Sequence, residues 1–313
     1  MFVELHAQTD IGRIRQANED NFLVLDLAST ESWSGSDGKP EPPEKLRRFE
    51  VEREGLVLVV SDGMGGALAG DVASRMAVES VREMLTEEDT HKTDGDGAGA
   101  RVPLVECLRN ATGYANYAIH RKSLEDPRCS GMGATLTAAA VSDDVIDFVQ
   151  VGDSRAYLIR GDEIKLATKD QSLVQQLVDV GQITEEDAET HMFRNVILQA
   201  LGAQSDLTPV LSRVRLQQGD IVLLCSDGLS GKLRAEEMRD ILAASKGDLA
   251  AACDALVKEA NKRGGEDNIT VVLARFDGNG LAAHDAQAIS VELPPLDDAP
   301  TLSGMDDDTS PLP

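Results

Sequence analysis

The sequence predicts an α+β fold in which two antiparallel sheets pack against each other and helices cover the outside. Three observations lead there. Short apolar runs bounded by Gly, Asp or Ser recur along the chain, as strands do. Several of them follow one another between Ala134 and Arg160, with connections too short for a crossover helix, which favours an antiparallel meander over a doubly wound parallel sheet. Longer segments place apolar residues at i, i+3 and i+4, the pattern of a helix with one core-facing stripe.

In chain order the first strand signal is NFLVLD, followed by a polar stretch from Ser29 to Glu54 that contains SWSGSDGKPEPPEK and reads as an inserted loop. GLVLVVSDG is the next strand. Two helical patterns come after it, one placing Ala73, Ala77, Val81 and Leu85 on a common face, the other Leu104, Leu108, Ala111 and Ala115. Between them Glu87 to Ala100 ends in DGDGAGA. A calcium loop starting at Asp94 fails there, because Val105 occupies its twelfth position and Ala98 its fifth. ATLTAAAVS, VIDFVQVGDS and RAYLIR form the meander, and DIVLLCSDG is a further strand. Helices are expected near Ala235 to Ala244 and Asp248 to Lys262, and NITVVLARF closes the domain at Phe276. From Asp277 to Pro313 there are eight acidic residues, no Lys or Arg, and five of the eleven prolines. Such a composition cannot bury enough apolar surface to order itself, so residues 277–313 read as a flexible acidic tail on a 1–276 domain.

The formal charge is −25 and the pI is near 4.5, which excludes nucleic acid and anionic lipid as natural partners unless a basic stripe exists. The densest basic group, Lys45, Arg47 and Arg48, lies among glutamates. Cys107, Cys129, Cys225 and Cys253 are too far apart for a CxxC motif and read as buried thiols of a reducing compartment. MFVELHAQTDIGRIRQ has neither the basic start nor the apolar stretch of a signal peptide, and no run approaches the ~18 residues of a membrane span. A cytoplasmic monomer is the expectation.

The chemistry sits at strand ends. LVLVVSDGMGG and IVLLCSDGLS each run a buried strand straight into Ser-Asp-Gly, which exposes Asp62 and Asp227 where the strand leaves the core. GGEDNITVVL places Asp267 just before a strand, and Glu19 and Asp20 stand at the mouth of NFLVLD. One Asp-Gly is an ordinary turn; four acidic strand ends in one layered domain can converge. Two carboxylates 4 Å apart repel by about 4 kcal/mol at an effective dielectric near 20, so a convergent cluster calls for cations, and all-oxygen donors select Mg²⁺ or Mn²⁺. Arg15, just upstream, could fork two phosphate oxygens. No GxxxxGK[ST], GxSxG or GxGxxG motif offers a competing chemistry.

TDIGRIRQANEDNF, VVSDGMGG, GMGATLTAAAV, VGDSRAYLIR, LLCSDGLS and GGEDNITVVL, in this order, resemble the metal-dependent serine/threonine phosphatases, the type 2C protein phosphatases, and above all their bacterial branch. The resemblance runs from about Leu5 to Phe276. It implies a four-layer αββα sandwich with a binuclear Mn²⁺ or Mg²⁺ centre at one end. By its motifs, Asp62 would bridge both ions, Asp227 and Asp267 would complete one site, and the Gly63 carbonyl would help hold the other. Glu19, Asp20 and Asp153 would support the centre directly or through water, and Arg15 would bind phosphate. Met64 stands where many animal members carry a histidine proposed as general acid. A third ion, often held in bacterial members by an aspartate four residues before the Met of GMG, meets Arg128 there, with Asp126 two positions further back, though Asp153 with Asp227 could still supply one. The segment 171–202 resembles the family's flap, with Val174, Leu177 and Val178 as a packed base and Thr184 to His191 as a mobile part.

The implied activity is hydrolysis of phosphoserine and phosphothreonine on proteins by a metal-activated water, reversing a bacterial serine/threonine kinase. Two other readings share the motifs: a regulatory module of the same fold that binds phosphoproteins without catalysis, and a phosphohydrolase of small molecules.

Overall fold

Side chains alternate along each strand, and in this protein both sides of the alternation are apolar. In β5 (Leu56–Met64), Leu56, Leu58 and Val60 face one cluster while Val57 and Val59 face another. A strand buried on both faces needs a layer on each side, and the computed structural model supplies them. It describes residues 1–65, 69–87, 102–285 and 288–293. The expected linker at 87–100 lies outside these residues beyond Glu87, as does the end of the tail.

One sheet has the order β10 (Glu163–Leu166), β9 (Arg155–Arg160), β12 (Ile221–Cys225), β13 (Ile269–Asp277), β1 (Phe2–Asp10), β4 (Arg48–Glu50). The other has the order β11 (Val210–Arg215), β8 (Val145–Val151), β7 (Leu136–Ser142), β5, β2 (Asp20–Asp26), β3 (Ser32–Ser34), and β6 (Gly133–Ala134) pairs with the end of β5. Every named pairing is antiparallel. Phe22, Phe148, Leu224 and Phe276 fill the space between the sheets. The outer face of the second sheet packs on α2 (Ala69–Thr86) and α3 (Leu104–Glu125) through Ala73, Ala77, Leu108 and Ala111. On the other side, α7 (Ala235–Ala244) and α8 (Leu249–Lys262) cover the first sheet through Met238, Leu242, Cys253 and Leu256. The four layers αββα are therefore present. Cys107, Cys129, Cys225 and Cys253 are all buried thiols, and among the described residues no helix is long and apolar enough to cross a membrane.

Two expectations need correction. The stretch 29–54 is not merely a polar loop, because it contributes β3, α1 (Glu44–Arg47) and β4, which extend both sheets. Its anchors are Trp33 and Leu46, both fully buried in the inter-sheet core, with the Trp33 indole N–H donating to the Lys39 carbonyl. A polar average hid two large apolar side chains. Likewise, the domain does not stop at Phe276. Leu281 and Ile289 enter the same core, and Glu292 and Arg213 exchange backbone hydrogen bonds of 2.8 and 2.9 Å along edge strand β11. Burying each aliphatic side chain contributes about 1.5–3 kcal/mol, which together with the backbone hydrogen bonds offsets part of the segment's ordering entropy.

Candidate active site

The acids gather because of strand register. Asp20 and Asp62 are direct partners across the β2–β5 ladder, so their positions on neighbouring strands are fixed by the pairing itself. β12 and β13 are also neighbours, and Asp227 follows β12 at the start of α6 (Asp227–Ser230) while Asp267 precedes β13. Asp153 lies in the tight turn between β8 and β9, where Gly152 takes φ 95°. Glu19, immediately before β2, approaches the end of β5, and its carbonyl accepts the Gly63 N–H at 3.1 Å.

Glycine is required at two of these approaches. A Cβ on Gly63 would lie 2.0 Å from the Gly70 carbonyl oxygen, and one on Gly228 would lie 1.9 Å from that of Asn268. Asn268 is a second organiser, with its Oδ1 accepting the Glu19 N–H at 2.8 Å and its Nδ2 donating to the carbonyls of Ile11 and Ala17. Asp20 is held by the hydroxyls of Ser226 and Thr270, each donating to Oδ2 at 2.7 Å.

The remaining oxygens are the telling feature. Glu19 Oε1, Asp20 Oδ1, Asp153 Oδ1 and Asp227 Oδ1 are buried without a hydrogen-bond partner among the described residues. Burial drives the pKa of Asp20 up to about 7 against the hydrogen bonds from Ser226 and Thr270, with Asp227 and Asp267 adding repulsion. Asp153 is also pushed up to about 7, by burial and then by Asp227. Asp62 is raised well above the carboxylate range by burial and by Asp20, Asp227, Asp153 and Asp267, and Asp227 and Glu19 are raised mainly by burial. Among the described residues no three such donors are already closed around one point. Buried, unpartnered oxygens that repel one another are a donor set suited to hard divalent cations, and the residues fit that use.

Arg15 is half exposed at the rim. It donates to Asp267 Oδ2 at 2.8 Å and stands 4.0 Å from Glu19 Oε2. The hydrogen bond to Asp267 raises its pKa further, so it stays cationic.

Comparison with known proteins agrees with this geometry. A protein phosphatase 2C family model matches residues 45–274. The chain belongs to the protein phosphatase 2C family of serine/threonine phosphatases. This phosphatase is 36% identical over 271 residues to the serine/threonine phosphatase stp of Listeria welshimeri, covering 86% of this chain and 95% of that one. It superposes on the crystal structure of the Mycobacterium tuberculosis serine/threonine phosphatase PstP/Ppp with a TM-score of 0.69 at 32% identity, over 89% of this chain and all of that one. The PstP catalytic domain, solved in complex with two manganese ions, matches with a TM-score of 0.67 at 31% identity over 88% of this chain and 99% of that one.

Outside the acid cluster, Asp126 is spoken for. It accepts from the Arg128 backbone and guanidinium and pairs with Lys122 at 3.1 Å, so it offers little to a third ion. Within residues 171–202 the chain forms α4 (Leu173–Asp179) and α5 (Glu185–Thr190). Val174 is buried while Leu177 and Val178 are half-buried, and the stretch expected to be mobile is helical, capped by reciprocal hydrogen bonds between Thr184 and Asp187. Sequence reasoning missed Ser226, Thr270, Asn268 and Thr135 as organisers. Ser226 and Asn268 adjoin motif acids, which was the one available signal.

Proposed function

We propose that this phosphatase hydrolyses phosphoserine and phosphothreonine in proteins with Mn²⁺ or Mg²⁺ held by the acids at the strand ends. The observation that carries this reading is the set of four buried, unpartnered carboxylate oxygens on Glu19, Asp20, Asp153 and Asp227. In this account Asp62, Asp227 and Asp267 hold two ions together with the Gly63 carbonyl, and Glu19, Asp20 and Asp153 support them. When bound, the ions supply positive charge that offsets the phosphoryl dianion and lowers the pKa of the attacking water. Arg15 binds phosphoryl oxygens with a guanidinium that Asp267 holds at the rim. Ser226 and Thr270 orient Asp20 by occupying one of its oxygens, leaving the other to face the cluster. The flap, with Met192 80% exposed and Phe193 partly so, offers apolar contact to residues flanking the phosphorylated one. The proposed setting is the cytoplasm, opposing a serine/threonine kinase, as a monomer.

The test is hydrolysis of a phosphothreonine peptide and of p-nitrophenyl phosphate with Mn²⁺ and with EDTA. Both substrates should turn over with Mn²⁺ and neither with EDTA. Turnover of the small phosphate alone would point to a small-molecule enzyme. Turnover of neither would leave a phosphoprotein-binding module.

A further inference from the structure

We infer that Thr135 is a positioning residue that sets the spacing between the Asp62 strand and the Asp153 turn, and thereby the affinity of the acid cluster for divalent cations. The inference rests on the proposed reading of those acids as a metal centre. Thr135 lies fully buried between β6 and β7. It grips Asp62 from both sides of the peptide chain: its N–H donates to the Asp62 carbonyl at 2.8 Å, and its Oγ1 accepts the Asp62 N–H at 2.9 Å. Its own carbonyl accepts the Ser61 hydroxyl at 2.7 Å.

The same Oγ1 stands 2.8 Å from Ser154 Oγ, the residue that follows Asp153, and Ser154 is fully buried as well. Ser154 cannot drift, because its carbonyl accepts from Thr137 Oγ1 at 2.8 Å and from Gln150 Nε2 at 2.7 Å. On the other side of the turn, the Thr135 methyl packs against Gly152 so closely that a Cβ there would come within 2.7 Å of it. One hydroxyl therefore joins the backbone of Asp62 to the turn that carries Asp153, in a place that water does not reach. β7 lies between the two elements in the sheet, paired with β5 on one side and β8 on the other, and the Thr135 hydroxyl adds a direct link at the end where both acids stand. Buried hydrogen bonds that orient metal-holding groups in this way typically govern metal affinity by 10–100-fold.

The experiment measures Mn²⁺ affinity by calorimetry, alongside the Mn²⁺ dependence of peptide turnover, for the wild type, Thr135→Val, Thr135→Ser and Ser154→Ala. Thr135→Val keeps the shape and the methyl contact but removes the bridge, and should weaken Mn²⁺ binding by about 10–100-fold. Its KM for peptide at saturating Mn²⁺ should stay at the wild-type value, since Thr135 does not touch substrate. Thr135→Ser restores the hydroxyl and should bind Mn²⁺ like the wild type. Ser154→Ala opens the far end of the bridge while the Asp62 N–H keeps its acceptor, and should weaken Mn²⁺ in the same direction even if Thr135→Val proves too unstable to measure. Wild-type affinity in Thr135→Val or Ser154→Ala, or a Thr135→Ser variant no better than Thr135→Val, would overturn the inference. A wild-type protein that binds no Mn²⁺ would instead overturn the reading on which it rests.

Discussion

Replacing Asp62 by Asn should make the metal-free protein more stable while abolishing its activity. Asp62 faces Asp20 directly across the ladder, and directly opposed side chains have Cβ atoms about 4.5–5.5 Å apart. Two charges 5 Å apart at an effective dielectric of 20 repel by about 3 kcal/mol. Asp227, Asp153 and Asp267 add to the repulsion felt at Asp62. Part of it is relieved in the wild type by protonation, so the net gain expected for Asp62→Asn at pH 8 is about 1–3 kcal/mol. For a chain of this size that corresponds to a rise of roughly 2–4 °C per kcal/mol. Thermal unfolding in EDTA at pH 8 reads this directly. In saturating Mn²⁺ the order should reverse, because a ligand at 100 times its Kd stabilises by about 2.7 kcal/mol and the variant loses much of that binding. An Asn variant less stable than the wild type in EDTA would refute the electrostatic reasoning, since it would mean that Asp62 is held by favourable contacts.

Other outcomes follow from the same structure. Arg15→Ala should raise KM for a phosphopeptide about tenfold, the worth of a charge-assisted hydrogen bond to phosphate, with Mn²⁺ still bound; steady-state kinetics with a parallel Mn²⁺ titration separates the two effects. In EDTA the protein should lose stability as the pH rises from about 4 to about 7. Asp20 and Asp153 have folded-state pKa values raised from 3.8 to about 7, so the folded state holds their protons more tightly and that contribution is full only below the unfolded value. Melting curves at several pH values, with and without Mn²⁺, should show a metal-induced gain that grows over this window. Truncation after Phe276 should cost about 3–5 kcal/mol by removing the buried Leu281 and Ile289, whereas truncation after Leu293 removes neither; denaturant unfolding compares the two.

Much of this architecture is legible in the sequence because the signals are local. A run such as LVLVV is apolar on both sides of a period-two alternation, and so announces a strand with a layer on each face. The Ser-Asp-Gly triplets after such runs mark the strand ends where Asp62 and Asp227 sit, although β5 runs on to Met64 and Asp227 opens α6 where a tight turn was expected. What stays hidden is either long-range or sparse. Asp20 reads as one acid of a pair, and its fixed orientation comes from Ser226 and Thr270, which are 206 and 250 residues away in sequence. Trp33 and Leu46 are lost in a polar average over 29–54, as Leu281 and Ile289 are lost in the composition of the C-terminal segment. Two apolar anchors tie each of these segments to the core, and composition over tens of residues does not register two.

The central claim is that the acids brought together by the β2–β5 register and by the ends of β12 and β13 form a divalent-cation centre. A calorimetric Mn²⁺ titration of the wild type beside Asp62→Asn tests it most directly. The account predicts two ions bound by the wild type and a loss of at least one by the variant, with peptide turnover lost in step. Two ions bound equally by both proteins, or none bound by the wild type, would contradict it.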